Sequence, residues 1–168
     1  MTEQVRKMAQ SLIRVGYRLA YFIWKFVKLY LRKTTQGAQV VVWNNDAFLL
    51  VKTSYRNTYS FPGGYIKIDE NPIDAAVREL NEETGISVTN QQLSYLYQFV
   101  DFCGTTQCFD TLFETKLAPE KLDELKIDNK EIVEAKFFKL SELSELDLED
   151  TVLNYLQRFP NKTYSLAN

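Results

Sequence analysis

Three glutamates, Glu79, Glu82 and Glu83, stand three and four residues apart in helix-compatible sequence. At about 100° per residue, that spacing gathers their carboxylates on one side of a helix. Like charges so placed weaken a helix by about 0.2–0.5 kcal/mol per pair and raise one another's proton affinity. A divalent cation reverses that cost. An all-oxygen donor set selects hard ions such as Mg²⁺ or Mn²⁺, which are commonly held together with water and substrate phosphates. The bland alternative is a solvated acidic helix face. The chain contains no histidine, which removes Ser-His-Asp and Cys-His catalysis, histidine-ligated zinc and histidine proton shuttling. Acid–base or metal chemistry therefore falls to carboxylates.

The elements that must position these groups are legible around them. Asn71-Pro72-Ile73-Asp74 offers an N-cap, an N1 proline and an acidic first turn, so a helix begins there. Ile73, Ala76, Val77, Leu80 and Thr84 repeat at three and four residues to form its buried face, and Gly85 is placed to end it in a left-handed turn. Upstream stands a Pro62-Gly63-Gly64 loop. Apolar, β-branched runs at 38–43 and 47–52, separated by Asn44, Asn45 and Asp46, predict a strand, a turn and a strand. Further strands are expected at 86–89, 93–102, 107–117 and 133–140, with short helices beginning near Ser141 and Glu149. Strands on both sides of one central helix, with a helix at the end, predict an α/β/α sandwich around a mixed sheet.

From Gly64 the chain reads Gly, five residues, Glu70, seven residues, then Arg78-Glu79-Leu80-Asn81-Glu82-Glu83-Thr84-Gly85-Ile86. This pattern resembles the Nudix box at every defined position. Phe61-Pro62-Gly63 and the strand pattern are also similar, and coverage extends from about Gly37 to Tyr155. The resemblance implies that Glu79, Glu82 and Glu83 hold the metal, helped by the backbone carbonyl of Gly63, and that Arg78 orients the glutamates. It implies that Glu70 buttresses the helix start or reaches a second metal through water; simple charge complementation of the helix N-terminus is the alternative. Glu131, in Glu131-Ile132-Val133-Glu134-Ala135-Lys136-Phe137-Phe138, is similar to a late family position that supplies another ligand or a general base. Glu134 and Glu114 are weaker candidates.

The activity so implied is Mg²⁺-dependent hydrolysis of a diphosphate linkage by water, with Glu82, Glu83 or Glu131 taking the proton. The upstream element of coenzyme A diphosphatases is not evident before Phe61, nor the downstream proline of ADP-ribose pyrophosphatases near Phe102. That favours nucleoside triphosphates or another nucleoside diphosphate derivative. Tyr55, Tyr59, Tyr65, Tyr97, Phe102 and Phe109 are candidate base-stacking platforms, with core packing as the alternative. A nucleotide-sensing module without catalysis is the rival reading.

At 168 residues, with 45% apolar and 25% charged residues, the chain is sized and composed for one globular domain. Two cysteines, Cys103 and Cys108, read as free thiols in a reducing compartment rather than a disulfide framework. The formal charge of −2 hides an asymmetry: residues 1–33 carry eight Lys/Arg against Glu3, and the rest carries twelve against twenty-one Asp/Glu. The first 33 residues form an appendage to a domain spanning 37–168, joined through a linker at 34–37. Residues 4–33 predict one amphipathic helix, with Lys7, Arg14, Arg18, Lys25, Lys28 and Arg32 within about 80° of arc. Leu12, Ile13, Leu19, Ala20, Ile23, Trp24, Phe26 and Val27 cover the remainder. Its charges interrupt every window of about twenty residues that could span a bilayer. Three placements remain: on its own domain or in a homodimer, on an anionic membrane surface, or as a cleaved basic targeting segment. The expected location is cytoplasmic or peripheral at a membrane, with a nucleotide-type substrate and no stable nucleic-acid partner.

Overall fold

A computed structural model describes residues 3–31, 34–103, 106–127 and 130–160. The side chains of residues 24–31 and 101–103 fall outside that description, so the readings of Trp24, Lys25, Phe26, Val27, Lys28, Arg32, Phe102 and Cys103 lie beyond it. The Cys108 side chain is buried, and its sulfur accepts a hydrogen bond from the Thr35 hydroxyl at 3.1 Å.

Among the described residues, seven strands form one mixed sheet: β1 (Thr35–Asn44), β2 (Ala47–Thr53), β3 (Tyr59–Ser60), β4 (Gly63–Tyr65), β5 (Ser94–Cys103), β6 (Thr106–Lys116) and β7 (Ile132–Lys139). The order runs β3-β2-β1-β6-β5, with β4 also on β1 and β7 also on β2. Among the described strands, β1 and β6 form the one parallel pair. Among the described residues, three α-helices accompany the sheet: α1 (Glu3–Leu31), α2 (Pro72–Thr84) and α3 (Asp150–Arg158).

The two-residue period of β1 divides the core between the sheet's faces. Ala38, Val40 and Val42 point to one face, where Leu49, Ala76, Leu80, Ile86 and Phe113 join them under α2. Val41 and Trp43 point to the other, where Phe48, Leu50, Phe61, Leu112, Val152 and Tyr155 pack under α3. The expected sandwich is thus present. α2 has the expected bounds, and Gly85 ends it with φ 75°, its N–H donating to the Asn81 carbonyl. Asn71 keeps the extended backbone of an N-cap, yet its side-chain amide donates to Asp74 instead of capping the helix.

Several expectations are corrected. The 34–37 linker is mostly strand: β1 starts at Thr35, where β6 and β4 supply backbone partners. Residues 86–89 are not a strand, although Ile86 and Val88 are buried. Their polar groups find side chains instead. Ile86 N–H donates to Thr84 Oγ1 at 3.2 Å, and Lys121 Nζ donates to the Ser87 carbonyl. The helix expected near Ser141 is a 3-10 turn over Leu140–Glu145, and the short strands β3 and β4 flank Phe61-Pro62 unannounced by any alternation.

The orientation of α1 is the largest surprise. Its apolar side points outward, with Met8 63%, Leu12 71% and Leu19 61% exposed. The half-buried residues are Gln10, Arg14, Tyr17 and Tyr21, on its basic, tyrosine-bearing edge. Among the described residues, no helix is long and apolar enough to cross a membrane.

Candidate active site

The loop before α2, the acidic side of α2 and the approach to β7 meet beside the β1–β4 pairing. Arg78 ties the first two together. Its Nε and Nη2 donate to the two Glu70 carboxylate oxygens at 2.7 and 2.9 Å, a bidentate pair. Nη2 also donates to the Tyr65 carbonyl at 2.9 Å. Nη1 donates to Glu79 at 2.6 Å and to Glu82 at 3.3 Å. One guanidinium therefore fixes the end of the loop and two glutamates of α2. The Arg78 hydrogen bond, with the Lys67 amide, draws the Glu70 pKa down to about 2.

Glu83 turns the other way. Its carboxylate accepts the Gly63 N–H at 2.9 Å. The surrounding protein pushes its pKa well above the ordinary glutamate range by desolvation, with the Glu79 and Glu131 carboxylates adding to the rise. Desolvation likewise raises Glu79, against the lowering effect of Arg78 and with Glu82 and Glu131 adding to it. Glycines permit the crowding. A Cβ at Gly64 would stand 2.7–2.9 Å from the Glu79 carboxyl atoms, and Gly63 holds φ 152° against the Ala38 carbonyl.

Gly63, Gly64, Glu83 and Glu131 line a cavity of about 810 Å³. Tyr55 donates to Glu131 Oε1 at 2.9 Å, and the Ser54 N–H donates to the Glu131 carbonyl at 2.7 Å. Burial, then Glu131, carries the Tyr55 phenol far up. Glu70, Arg78, Glu79 and Glu82 do not line the cavity; Glu82 is more than half exposed beside Arg78. Glu134 instead accepts from Tyr59 at 2.7 Å and Glu114 sits in the β5–β6 ladder, both away from the cavity. Of the aromatic candidates, Tyr55 and Tyr65 line it, Tyr97 packs in the core, and Tyr59 and Phe109 do not reach it.

Among the described residues, no three acidic side chains already form a metal cage. Even so, the donor chemistry fits a hard divalent ion. The Glu131 carboxylate raises the proton affinity of both Glu79 and Glu83, and Glu79 adds to the rise at Glu83, the condition that a divalent cation relieves.

Among the residues lining the cavity, sequence reasoning missed Tyr17, Tyr21, Gln39, Thr53, Arg56 and Asp110, and gave Glu149 no role there. Tyr17 and Tyr21 carried a usable signal, since they lie four apart on the basic edge of α1, away from its apolar side. Arg56 pairs with Glu149 and lies in a polar turn that gives no such signal.

Comparison with known proteins agrees with this geometry. The NUDIX domain family profile matches residues 33–159. A MutT-like protein of Streptomyces ambofaciens is 36% identical over 61 residues, 36% of this chain and 40% of that protein. The mRNA-decapping enzyme subunit 2 of Saccharomyces cerevisiae is 31% identical over 98 residues, 52% of this chain and 10% of that protein. The chain spans less than half the length of the curated relatives it matches. The crystal structure of a MutT NUDIX hydrolase from Burkholderia pseudomallei superposes with a TM-score of 0.65 at 16% identity, over 74% of this chain and 97% of that one. At that identity the likeness bears on the fold alone.

Proposed function

Since the chain belongs to the Nudix family, we propose that it hydrolyses a diphosphate linkage in a nucleoside triphosphate or another nucleoside diphosphate derivative. The observation that carries this reading is the cavity that joins Gly63, Gly64, Glu83 and Glu131 beside the acidic side of α2. Glu79, Glu82 and Glu83, with the Gly63 carbonyl, are the groups that would hold Mg²⁺ or Mn²⁺, and Glu70 would stand behind them. Bound there, the ion would neutralise diphosphate oxygens and acidify water. Arg78 keeps Glu79 and Glu82 from drifting and so sets the spacing of the donors.

Glu131 is the proton acceptor this reading favours, because it faces the cavity and the Tyr55 hydroxyl fixes one of its oxygens. Glu83 is the alternative. Glu82→Gln and Glu83→Gln provide the test, in an assay of phosphomonoester release from nucleoside triphosphates, dinucleotides and nucleotide sugars. Each should keep the fold and lower Mg²⁺-dependent turnover by about 10³-fold. Wild-type turnover in both variants would overturn the metal assignment. A wild-type chain that binds nucleotides and cuts none of them would be a sensor.

A further inference from the structure

The family match begins at residue 33, but the wall of the cavity begins earlier. Tyr17, Ala20 and Tyr21 of α1 line it together with Glu83 and Glu131. Tyr21 lies almost flat on Tyr55, with ring centroids 4.8 Å apart and planes 22° from parallel. The Arg56 guanidinium stands over both rings, 5.3 Å from the Tyr21 centroid and 5.8 Å from that of Tyr55. About one helical turn before Tyr21, Arg18 Nε donates to the Ser54 carbonyl at 2.9 Å. The 54–56 turn is thus gripped from outside by α1.

That turn and its surroundings carry polar atoms without a match. Arg56 Nε, Gln39 Oε1 and Thr53 Oγ1 are buried and have no hydrogen-bond partner among the described residues, and all three side chains line the cavity. Buried polar groups in native proteins are nearly always satisfied, and these three belong to side chains around one space, so a ligand seated there is a natural partner for them. A guanidinium N–H suits a phosphate oxygen, and hydroxyl and amide groups suit a ribose or a base. Glu149 already engages another edge of the same guanidinium, holding it in place while leaving Nε free to donate.

We propose that α1 is part of the substrate site, with Tyr21 a positioning residue whose ring holds Arg56 to bind the phosphates of a nucleotide. The inference rests on the hydrolase reading above. It places binding determinants outside the family match, in a helix that a truncated domain would lack. When Tyr21 is shortened, Tyr55 keeps its own hydrogen bond to Glu131, so the loss falls on binding and not on the proton acceptor.

The experiment uses the full chain, a substrate identified from the nucleotide panel, and its α,β-methylene analogue as a non-hydrolysable binding probe. Tyr21→Ala should raise both KM and the analogue Kd by about tenfold while kcat changes less than about threefold. Tyr21→Phe, which keeps the ring, should restore wild-type values. Arg56→Lys should mimic Tyr21→Ala, and the double variant should be little worse than either single one, since both remove the same contact. Leu19→Gln, on the outward side of α1, should change nothing. Where Tyr21→Ala fails to fold, Arg18→Ala releases the same grip from an exposed position, with the same rise expected. Wild-type KM and Kd in Tyr21→Ala or Arg18→Ala would overturn the inference and leave the hydrolase reading standing. A wild-type chain that neither binds nor cuts any nucleotide would overturn the hydrolase reading and this inference with it.

Discussion

Glu83 sits where protein dipoles and neighbouring charges pull against each other. Desolvation and the Glu79 and Glu131 carboxylates favour its neutral form, while the Gly63 N–H favours the anion, and the first group prevails. The folded chain therefore holds this proton more tightly than the unfolded chain does. For a carboxyl raised in this way, the contribution to stability is full below the ordinary glutamate pKa and is lost as pH rises from there toward the raised value. Glu70 behaves oppositely: held down at about 2 by Arg78, it contributes above the ordinary range and loses that contribution as pH falls through it. Metal-free protein should accordingly melt at a higher temperature near pH 5 than near pH 8, and its melting temperature should fall again below about pH 4. Saturating Mg²⁺ should raise the melting temperature more at the higher pH, because the ion binds the deprotonated carboxylates. Calorimetric scans over that range with and without Mg²⁺ check both signs. A metal-free melting temperature that climbs steadily from pH 5 to pH 8 would contradict the protonation described here.

The same residues depend on α2 as a rigid element with two unlike sides. Leu80, fully buried, faces the sheet with Ala76 and Thr84, while Glu79 and Glu82 face Arg78 and the loop, and Glu83 faces the cavity. Leu80→Ala should cost about 2–5 kcal/mol by denaturant titration, because the sheet beneath cannot collapse into the void. Glu82→Gln, on the exposed side, should move the midpoint little; a loss as large as that of Leu80→Ala would mean that Glu82 has a structural role. This division was legible in the sequence because a helical period, a proline start and a glycine stop all act over a few residues. The loop's link to α2 was legible only through resemblance, since the Arg78–Glu70 pair joins residues whose spacing alone does not predict contact. Residues 86–89 misled because apolar, β-branched residues read the same whether their backbone pairs with a strand or, as here, with side chains and turns. Arg56 and Glu149 could not be paired from sequence, being 93 residues apart and joined only by the fold.

At the scale of the whole molecule, α1 binds by the edge that sequence patterning would leave in water. Gripping the domain through Arg18 and Tyr21 places the basic edge over the acidic domain and turns Val5, Met8, Leu12, Val15, Leu19, Phe22 and Ile23 outward. An apolar stripe of that length along one exposed helix is more than scattered surface hydrophobics account for. The expected cover is an anionic bilayer surface, since the stripe is apolar, Arg6 is exposed on the same helix and the 1–33 segment carries the chain's excess of positive charge. A helix lying in the interface would then hold the cavity close to the membrane plane while its inner edge still walls the site. The full chain should therefore co-sediment with vesicles containing phosphatidylserine and far less with phosphatidylcholine vesicles, and salt should weaken the binding. Leu12→Ser with Leu19→Ser should abolish sedimentation without changing KM, because both side chains point away from the cavity. Equal sedimentation of the chain with and without residues 1–33 would exclude recruitment by α1. A concentration-dependent dimer that the same two substitutions dissolve would identify a second copy as the cover instead.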